Sequence, residues 1–390
     1  MEQESTLISN KTIAIIGGGP AGCICAKFLQ NFGFKEINIF DFGTPLRTIL
    51  PTGGGRCNIT HAIYDFRDLT KNYPRGEKFL YSIFSKFSVQ DTIDFFKSIG
   101  VNIYTQEDGR IFPQENSSSF VREKILKSLK CNFIKEKVEN IEKIANGYKI
   151  ETNKSTYAFD IVIISIGGHA GYSIFNNLEI NIIEPTQSLV GLHTKEDFSS
   201  IAGVSIKNCT IGKEAGDIIF THKGISGPLI YTISSYEARK KMPYNLSIKL
   251  AKIENFQDEL NNNPHKDIKN LISNYIPKSL SEYILKKLKI TPETKCHSIN
   301  GILRDKIKNQ IENFNVTIIS KVPDGEVVTC GGVDLNEINP KTLEFKKYPN
   351  MFAIGEVLDI DGLCGGFNLQ NCWSGAFVAA SAIKEKENLH

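Results

Sequence analysis

The residues best suited to chemistry begin with a turn of glycines, Gly17-Gly18-Gly19-Pro20-Ala21-Gly22. An apolar run at 12–16 precedes it. A helical stripe of Ala21, Ile24, Cys25, Phe28 and Phe32 follows, with Gly33 where a C-terminal cap belongs. A second apolar run, 37–40, ends in Asp41. Strand, glycine turn, helix and acid-ended strand are the parts of a dinucleotide cradle. Gly17 permits the tight turn, Gly19 lets a pyrophosphate approach the backbone, and Gly22 allows close helix–strand packing. Pro20 and Ala21 open the helix whose N-terminus faces the phosphates, and Asp41 is placed to accept hydrogen bonds from a ribose.

Two further stretches carry chemistry. Pro51-Thr52-Gly53-Gly54-Gly55-Arg56-Cys57-Asn58 gives up side-chain packing over three glycines, which costs ordering entropy and suits close approach of a large group. Arg56 there is able to neutralise a phosphate or polarise a carbonyl, and a flexible surface turn is the competing reading. Near the C-terminus, Gly355-Glu356 ends a strand, and Gly365-Gly366-Phe367-Asn368-Leu369-Gln370 opens a helix at about 369–383. An acid at Glu356 suits the ribitol hydroxyls of a flavin. A helix N-terminus behind Gly366 puts positive dipole where a flavin's pyrimidine edge gains charge on reduction. A nicotinamide needs neither, so the cofactor expected is FAD.

The expected FAD contacts are therefore Gly17, Gly19, Pro20, Ala21 and Gly22 at the pyrophosphate, Asp41 at the adenosine ribose, and Gly355 and Glu356 at the ribitol. Gly366, Phe367, Asn368 and Leu369 are expected at the pyrimidine edge, with Arg56, Cys57 and Asn58 along the phosphate or ring. Gly167, in the glycine pair ending the buried strand 160–166, is expected near the nucleotide, because ligands gather at strand carboxyl ends. Val138, on a meander strand, is assigned to adenine through its backbone. His222, in Thr221-His222-Lys223-Gly224, is the candidate catalytic proton carrier, against an ordinary structural role. Cys57 is either a redox thiol or a small buried residue. Cys296-His297 lacks the partners of a metal site, and no metal is expected.

These residues need elements to hold them. Residues 77–98 read as two helices, the second started by Ser88-Val89-Gln90-Asp91 and stopped by Gly100. Runs at 101–104 and 109–113 flank an Asp108-Gly109 hairpin turn, a helix follows at about 120–129, and strands are expected at 132–138 and 148–151. The fold class expected is α/β, a Rossmann-like FAD-binding domain of the two-dinucleotide-binding-domain flavoprotein type, with an inserted β-rich domain and a small helical subdomain. The boundaries expected are 1–190 and 346–390 for the FAD-binding domain, 191–253 and 314–345 for the β-rich domain, and 254–313 for the helical insertion.

Bulk properties narrow the class. The chain has 390 residues, 41% apolar and 23% charged, enough to bury a large core in two or three domains. A net charge of +3 with no long basic run argues against a nucleic-acid partner. Residues 1–11 lack signal-peptide character, and 13–16 are too few to span a bilayer, so no membrane partner is expected. Nine cysteines without framework spacing suit free thiols in a reducing, cytoplasmic setting.

Taken together, Ile16–Gly22, Gly53-Gly54-Gly55-Arg56-Cys57-Asn58-Ile59-Thr60, Gly109-Arg110-Ile111-Phe112-Pro113, the His222 stretch through Pro228, Thr329-Cys330-Gly331-Gly332-Val333 and the segment from Gly355 to Gln370 resemble the YhiN/BaiN-like FAD-dependent oxidoreductases, some of them called aminoacetone oxidases. That resemblance implies an FAD domain built from both termini and one FAD lying extended in a cleft. The function expected is flavin-dependent oxidation or reduction of a small organic molecule, with NAD(P)H as a transient donor. A flavin-binding protein without turnover and an NAD-only dehydrogenase are the alternatives. A flavin-dependent RNA-modifying enzyme shares the fold, and the weak net charge argues against it.

Overall fold

The computed structural model describes residues 10–168, 171–323 and 328–387. The chain forms two compact units, residues 1–186 with 328–390, and residues 187–327. The start expected to lack a signal peptide, residues 1–9, lies outside the described residues.

In the first unit, β1 (Ile13–Ile16), α1 (Pro20–Asn31) and β2 (Ile37–Phe40) form the expected strand–helix–strand unit. The unit continues through β3 (Thr60–His61), β4 (Ile103–Thr105), β5 (Arg110–Pro113), β6 (Asn132–Ile134), β7 (Ile161–Ile164), β8 (Met351–Ala353) and α2 (Phe367–Lys386). Strands β8-β7-β1-β2-β6 lie side by side as a parallel sheet, with Ile13 in register with Ile161 and Ile37. β1 and β7 are buried at every position, which explains their unbroken apolar sequences. The C-terminal strand joins beside β7, so both ends of the chain build one sheet.

Helices α1 and α2 pack together through Phe28 and Phe377, whose ring centroids are 5.2 Å apart. Gly33, at φ +95°, follows the end of α1 as its sequence position implied. Ser88 and Asp91 close the capping box of Val89–Ser98. The single strand expected at 132–138 is two strands. Asn132–Ile134 extends the parallel sheet, and Val138–Ile144 starts an antiparallel meander with Gly147–Thr152 and Thr156–Phe159. The polar run Lys135-Glu136-Lys137 marks the break.

The second unit is built on a six-stranded antiparallel sheet, ordered Ser205–Ile211, Glu214–Thr221, Gly224–Ser226, Leu192–Thr194, Phe314–Lys321, Tyr244–Ile248. Its core is one cluster in which Phe198, Phe220 and Phe314 from the sheet region meet Ile268, Leu271, Leu280, Ile284, Ile307 and Ile311 from the helices. The stretch 254–313, expected as a separate helical insertion, thus shares the core of the sheet. The expected boundary at 345 also moves. Val333, Ile338, Leu343 and Phe345 are buried in the first unit's core, and the Asp359 amide donates to Val333 O at 3.0 Å.

Candidate functional site

The glycine turn after β1 is shaped by contacts a side chain would destroy. Gly17 has φ +107°, and a Cβ there would lie 2.3 Å from Ser165 O; one on Gly22 would lie 2.1 Å from Gly17 O. Gly19 is different. Its φ is −77°, open to any residue, and a Cβ would meet nothing within 4 Å. Neither conformation nor internal packing asks for glycine there, which leaves approach by an external group as the physical reason. Pro20 takes the first helical position of α1, where its missing N–H costs nothing.

Asp41 holds this turn from β2. Its Oδ2 accepts from the Gly18 amide at 2.9 Å and its Oδ1 from the Gly43 amide at 2.7 Å. Each oxygen keeps a second lone pair for a ribose hydroxyl. Ser165, at the end of β7, was missed by sequence reasoning. Its hydroxyl donates to Gly17 O at 2.9 Å, and the only sequence signal was a lone polar residue closing an apolar strand.

The C-terminal residues come to the same end of the sheet. A Cβ on Gly355 would lie 2.8 Å from the Ala21 Cβ and 3.4 Å from the Cys372 sulfur, so the first turn of α1 touches the C-terminal segment. Glu356 Oε1 accepts from the Thr329 amide at 2.8 Å, and a Cβ on Gly168 would lie 3.1 Å from Glu356 Cγ. Gly167, at φ +80°, borders open space. The carboxyl end of β7, the α1 turn and Glu356 therefore converge.

The triple-glycine segment is no helix in its dihedrals. Gly53, Gly54, Gly55 and then Cys57 all have positive φ, at 58°, 69°, 84° and 65°. Arg56 donates from Nε to Gly53 O at 3.0 Å and lays its guanidinium 4.1 Å from the Phe112 centroid. Cys57 is fully buried, and burial pushes its thiol up to about 12, so it behaves as a small apolar residue and not as a thiolate. Asn58 is 7% exposed, and its Oδ1 is buried without a hydrogen-bond partner. An orphaned carbonyl oxygen in a glycine-rich segment asks for a donor from outside the chain.

Asn58 leads into β3, which lies on the start of α2. A Cβ on Gly366 would sit 2.8 Å from Thr60 backbone atoms, and the Gln370 side chain accepts from Thr60 Oγ1 and donates to Thr92 Oγ1 at 2.9 Å. Asn368 bonds Gly362 in both directions, at 2.8 Å each, and clasps the loop before the helix. Phe367 is buried, stacks on the His61 ring at 5.0 Å and accepts from Tyr73 OH at 2.6 Å through its carbonyl. The side chains of Phe367 and Asn368 thus shape the loop, while Gly366 and the first backbone N–H groups of α2, including that of Leu369, face its N-terminal end. Arg75 pairs bidentately with the fully buried Asp361 and ties the same loop down. Sequence reasoning missed that pair, because the partners are far apart in the chain.

Val138 is a buried residue at the start of the meander, paired with Thr152. His222 lies in the second unit, exposed on the turn between Glu214–Thr221 and Gly224–Ser226. Among the described residues no group of His, Cys, Asp or Glu is arranged to hold a metal, and no helix is long and apolar enough to cross a membrane.

Comparison with known proteins decides the lineage: residues 11–382 match the HI0933-like protein Rossmann domain. The chain belongs to the HI0933-like family. The family resemblance and the Rossmann-type fold class expected from the motifs are thereby borne out. This HI0933-like chain is 28% identical to the ribosomal RNA dihydrouridine synthase of Escherichia coli, over 95% of this chain and 97% of that one. It is 24% identical to the 3-dehydro-bile acid delta(4,6)-reductase of Clostridium scindens, over 96% and 99%. Both relatives are oxidoreductase-type enzymes, as was expected of this HI0933-like chain. Among solved structures, the 3-ketosteroid delta1-dehydrogenase of Sterolibacterium denitrificans aligns over 96% of this chain with a TM-score of 0.49 and 10% identity, too loose a likeness to transfer anything.

Proposed function

We propose that this protein is an FAD-dependent reductase of carbon–carbon double bonds conjugated to a carbonyl group. The observation that carries the reading is Gly19, a glycine that nothing among the described residues requires, at the mouth of α1 and in the same unit as the α2 start. Bound FAD supplies a two-electron carrier between a pyridine nucleotide and the acceptor. The residues fit that group. The α1 N-terminus and Gly17–Gly22 take the pyrophosphate, Asp41 the ribose and Glu356 the ribitol. Asn58 Oδ1 offers its unmet acceptor to a flavin N–H, and the α2 N-terminus stabilises negative charge at the pyrimidine edge.

The acceptor class follows from the chemistry common to the two relatives. Making dihydrouridine saturates a ring double bond beside a carbonyl, and a delta(4,6)-reductase of a 3-oxo bile acid acts on double bonds conjugated to the ketone. The substrate expected from sequence was a small molecule with no nucleic acid, on the strength of a net charge of +3. That number hides an asymmetry: residues 187–327 hold 20 Lys and Arg against 15 Asp and Glu, and the rest of the chain is slightly acidic. A uridine within RNA is therefore the second reading.

The test is to purify the protein, identify the released cofactor, bleach it anaerobically with NADH or NADPH, and mix the reduced protein with cyclohex-2-enone or a uridine-containing rRNA fragment. Reoxidation by either supports the reductase. A colourless protein refutes the flavin reading. A bleachable flavin that neither acceptor reoxidises refutes the substrate class.

A further inference from the structure

We propose that Arg56 binds an anionic group, a carboxylate or a phosphate, carried by the acceptor; the proposal rests on the flavin-dependent reductase reading above and adds the charge of the substrate to it. Arg56 stands in the glycine-rich segment, two residues before Asn58. The Asn58 Oδ1 is buried without a partner and is the acceptor assigned above to a flavin N–H. On that assignment, Arg56 stands beside the ring that the acceptor has to reach.

The guanidinium is held still with one edge open. Its Nε donates to Gly53 O at 3.0 Å, and its Cζ lies 4.1 Å from the centroid of Phe112. Phe112 is fully buried on β5 and laddered to Tyr104 of β4, which makes it a fixed platform. A Cβ on Gly53 would lie 2.7 Å from the Phe112 ring, so only glycine lets the segment close on it. With Nε engaged, the two Nη nitrogens remain. They are open to solvent and bonded to nothing among the described residues. Next in the chain, Gly54 and Gly55 are exposed at φ +69° and +84°, and a Cβ on Gly54 would meet nothing within 4 Å.

A second arginine meets the same ring and is treated differently. The Arg110 Cζ lies 5.7 Å from the Phe112 centroid, and Asp108 neutralises it, with Nη2 at 2.6 Å and Nε at 2.8 Å from Oδ2. Arg56 has no acid among the described residues. Two guanidiniums on one ring repel each other, so a cation left without an anion there costs stability that an ion pair would recover. An arginine that served only to pack on Phe112 would gain from an acid of its own; one that receives an anion from outside needs its edge vacant.

The open edge defines the ligand. Paired Nη–H groups in one plane match two oxygens of a carboxylate or phosphate, a fit that a lysine ammonium does not offer. Because Nε and the ring face already fix the side chain, little further ordering is lost when the anion binds. The acceptors considered above meet this edge in different ways: a uridine in RNA brings a phosphate, and a small enone has to bring a carboxylate.

The experiment compares wild type, Arg56→Gln and Arg56→Lys, with FAD affinity measured first by equilibrium dialysis. The acceptor concentration that half-saturates reoxidation of the reduced protein is then read for two pairs, cyclohex-2-enone against 3-oxocyclohex-1-enecarboxylate, and uridine against uridine 5′-monophosphate. Wild type is expected to favour the charged member of at least one pair by about tenfold or more, and the pair that responds tells carboxylate from phosphate. That preference should shrink in Arg56→Lys and vanish in Arg56→Gln, while FAD affinity stays within about threefold of wild type. A wild type with no preference in either pair, or Arg56→Gln that keeps the preference, overturns the proposal. If Arg56→Gln loses more FAD affinity than that, the guanidinium serves the cofactor's phosphates and the proposal falls, with the reductase reading intact. Absent flavin, or a flavin no acceptor reoxidises, refutes that reading and the proposal with it.

Discussion

Replacing Arg75 with methionine is expected to destabilise the first unit more than any exposed charge change in it. Arg75 is 14% exposed in its side chain and Asp361 is 0% exposed, and the two meet in a bidentate pair across an isolated antiparallel bridge. Methionine keeps most of the apolar stem but leaves the Asp361 carboxylate without its guanidinium. Breaking a buried pair by removing one partner costs about 3–5 kcal/mol. That is a large share of the ~5–15 kcal/mol by which a native domain exceeds its unfolded state. For a unit of this size it lowers the melting temperature by roughly 6–20 °C. The double change Arg75→Met with Asp361→Leu removes the carboxylate as well and is expected to recover at least half of the loss. Differential scanning calorimetry of the flavin-free protein reads both. A single variant that loses under about 1 kcal/mol, or a double variant no better than the single, would refute the reasoning, because either result means that the carboxylate finds water or another donor.

Three other outcomes follow from the same geometry. Gly22→Ala places a methyl 2.1 Å from Gly17 O and 2.6 Å from Ser165 Oγ, so cofactor content on purification should drop at least about tenfold, read by absorbance against protein. Asn368→Ala opens the clasp on Gly362 by deleting two hydrogen bonds, worth roughly 2 kcal/mol together, and should weaken cofactor retention about 30-fold, read by equilibrium dialysis. The thiols of Cys57 and Cys372, raised to about 12 by burial, stay neutral in the native protein where an unfolded chain ionises them; stability should fall as pH rises from about 9 towards 12, and iodoacetamide at pH 8 should label exposed Cys364 well before either, read by peptide mass.

Much of the scaffold was legible because local rules were enough to write it. Residues 13–16 and 161–164 are continuous apolar runs because both faces of a central parallel strand are covered. The capping box at Ser88 and the hairpin at Asp108-Gly109 are local hydrogen-bond patterns that a few residues specify. The break at 135–137 was not legible, since one strand or two depends on which neighbour supplies the ladder.

The sequence alone determined the α/β scheme, the glycine turn after the first strand and the return of the C-terminus to the same domain, for each is encoded by short-range periodicity or by residue types with no other efficient use. Only the tertiary structure decided that Phe367 and Asn368 shape their loop with their side chains, that Arg75 meets Asp361, and that Gly109 and Gly365 pack closely against the His61 ring. The physical reason is sequence distance: each of these depends on contacts between residues far apart in the chain, or on the space a missing side chain leaves for a distant neighbour, and neither has a periodicity to read.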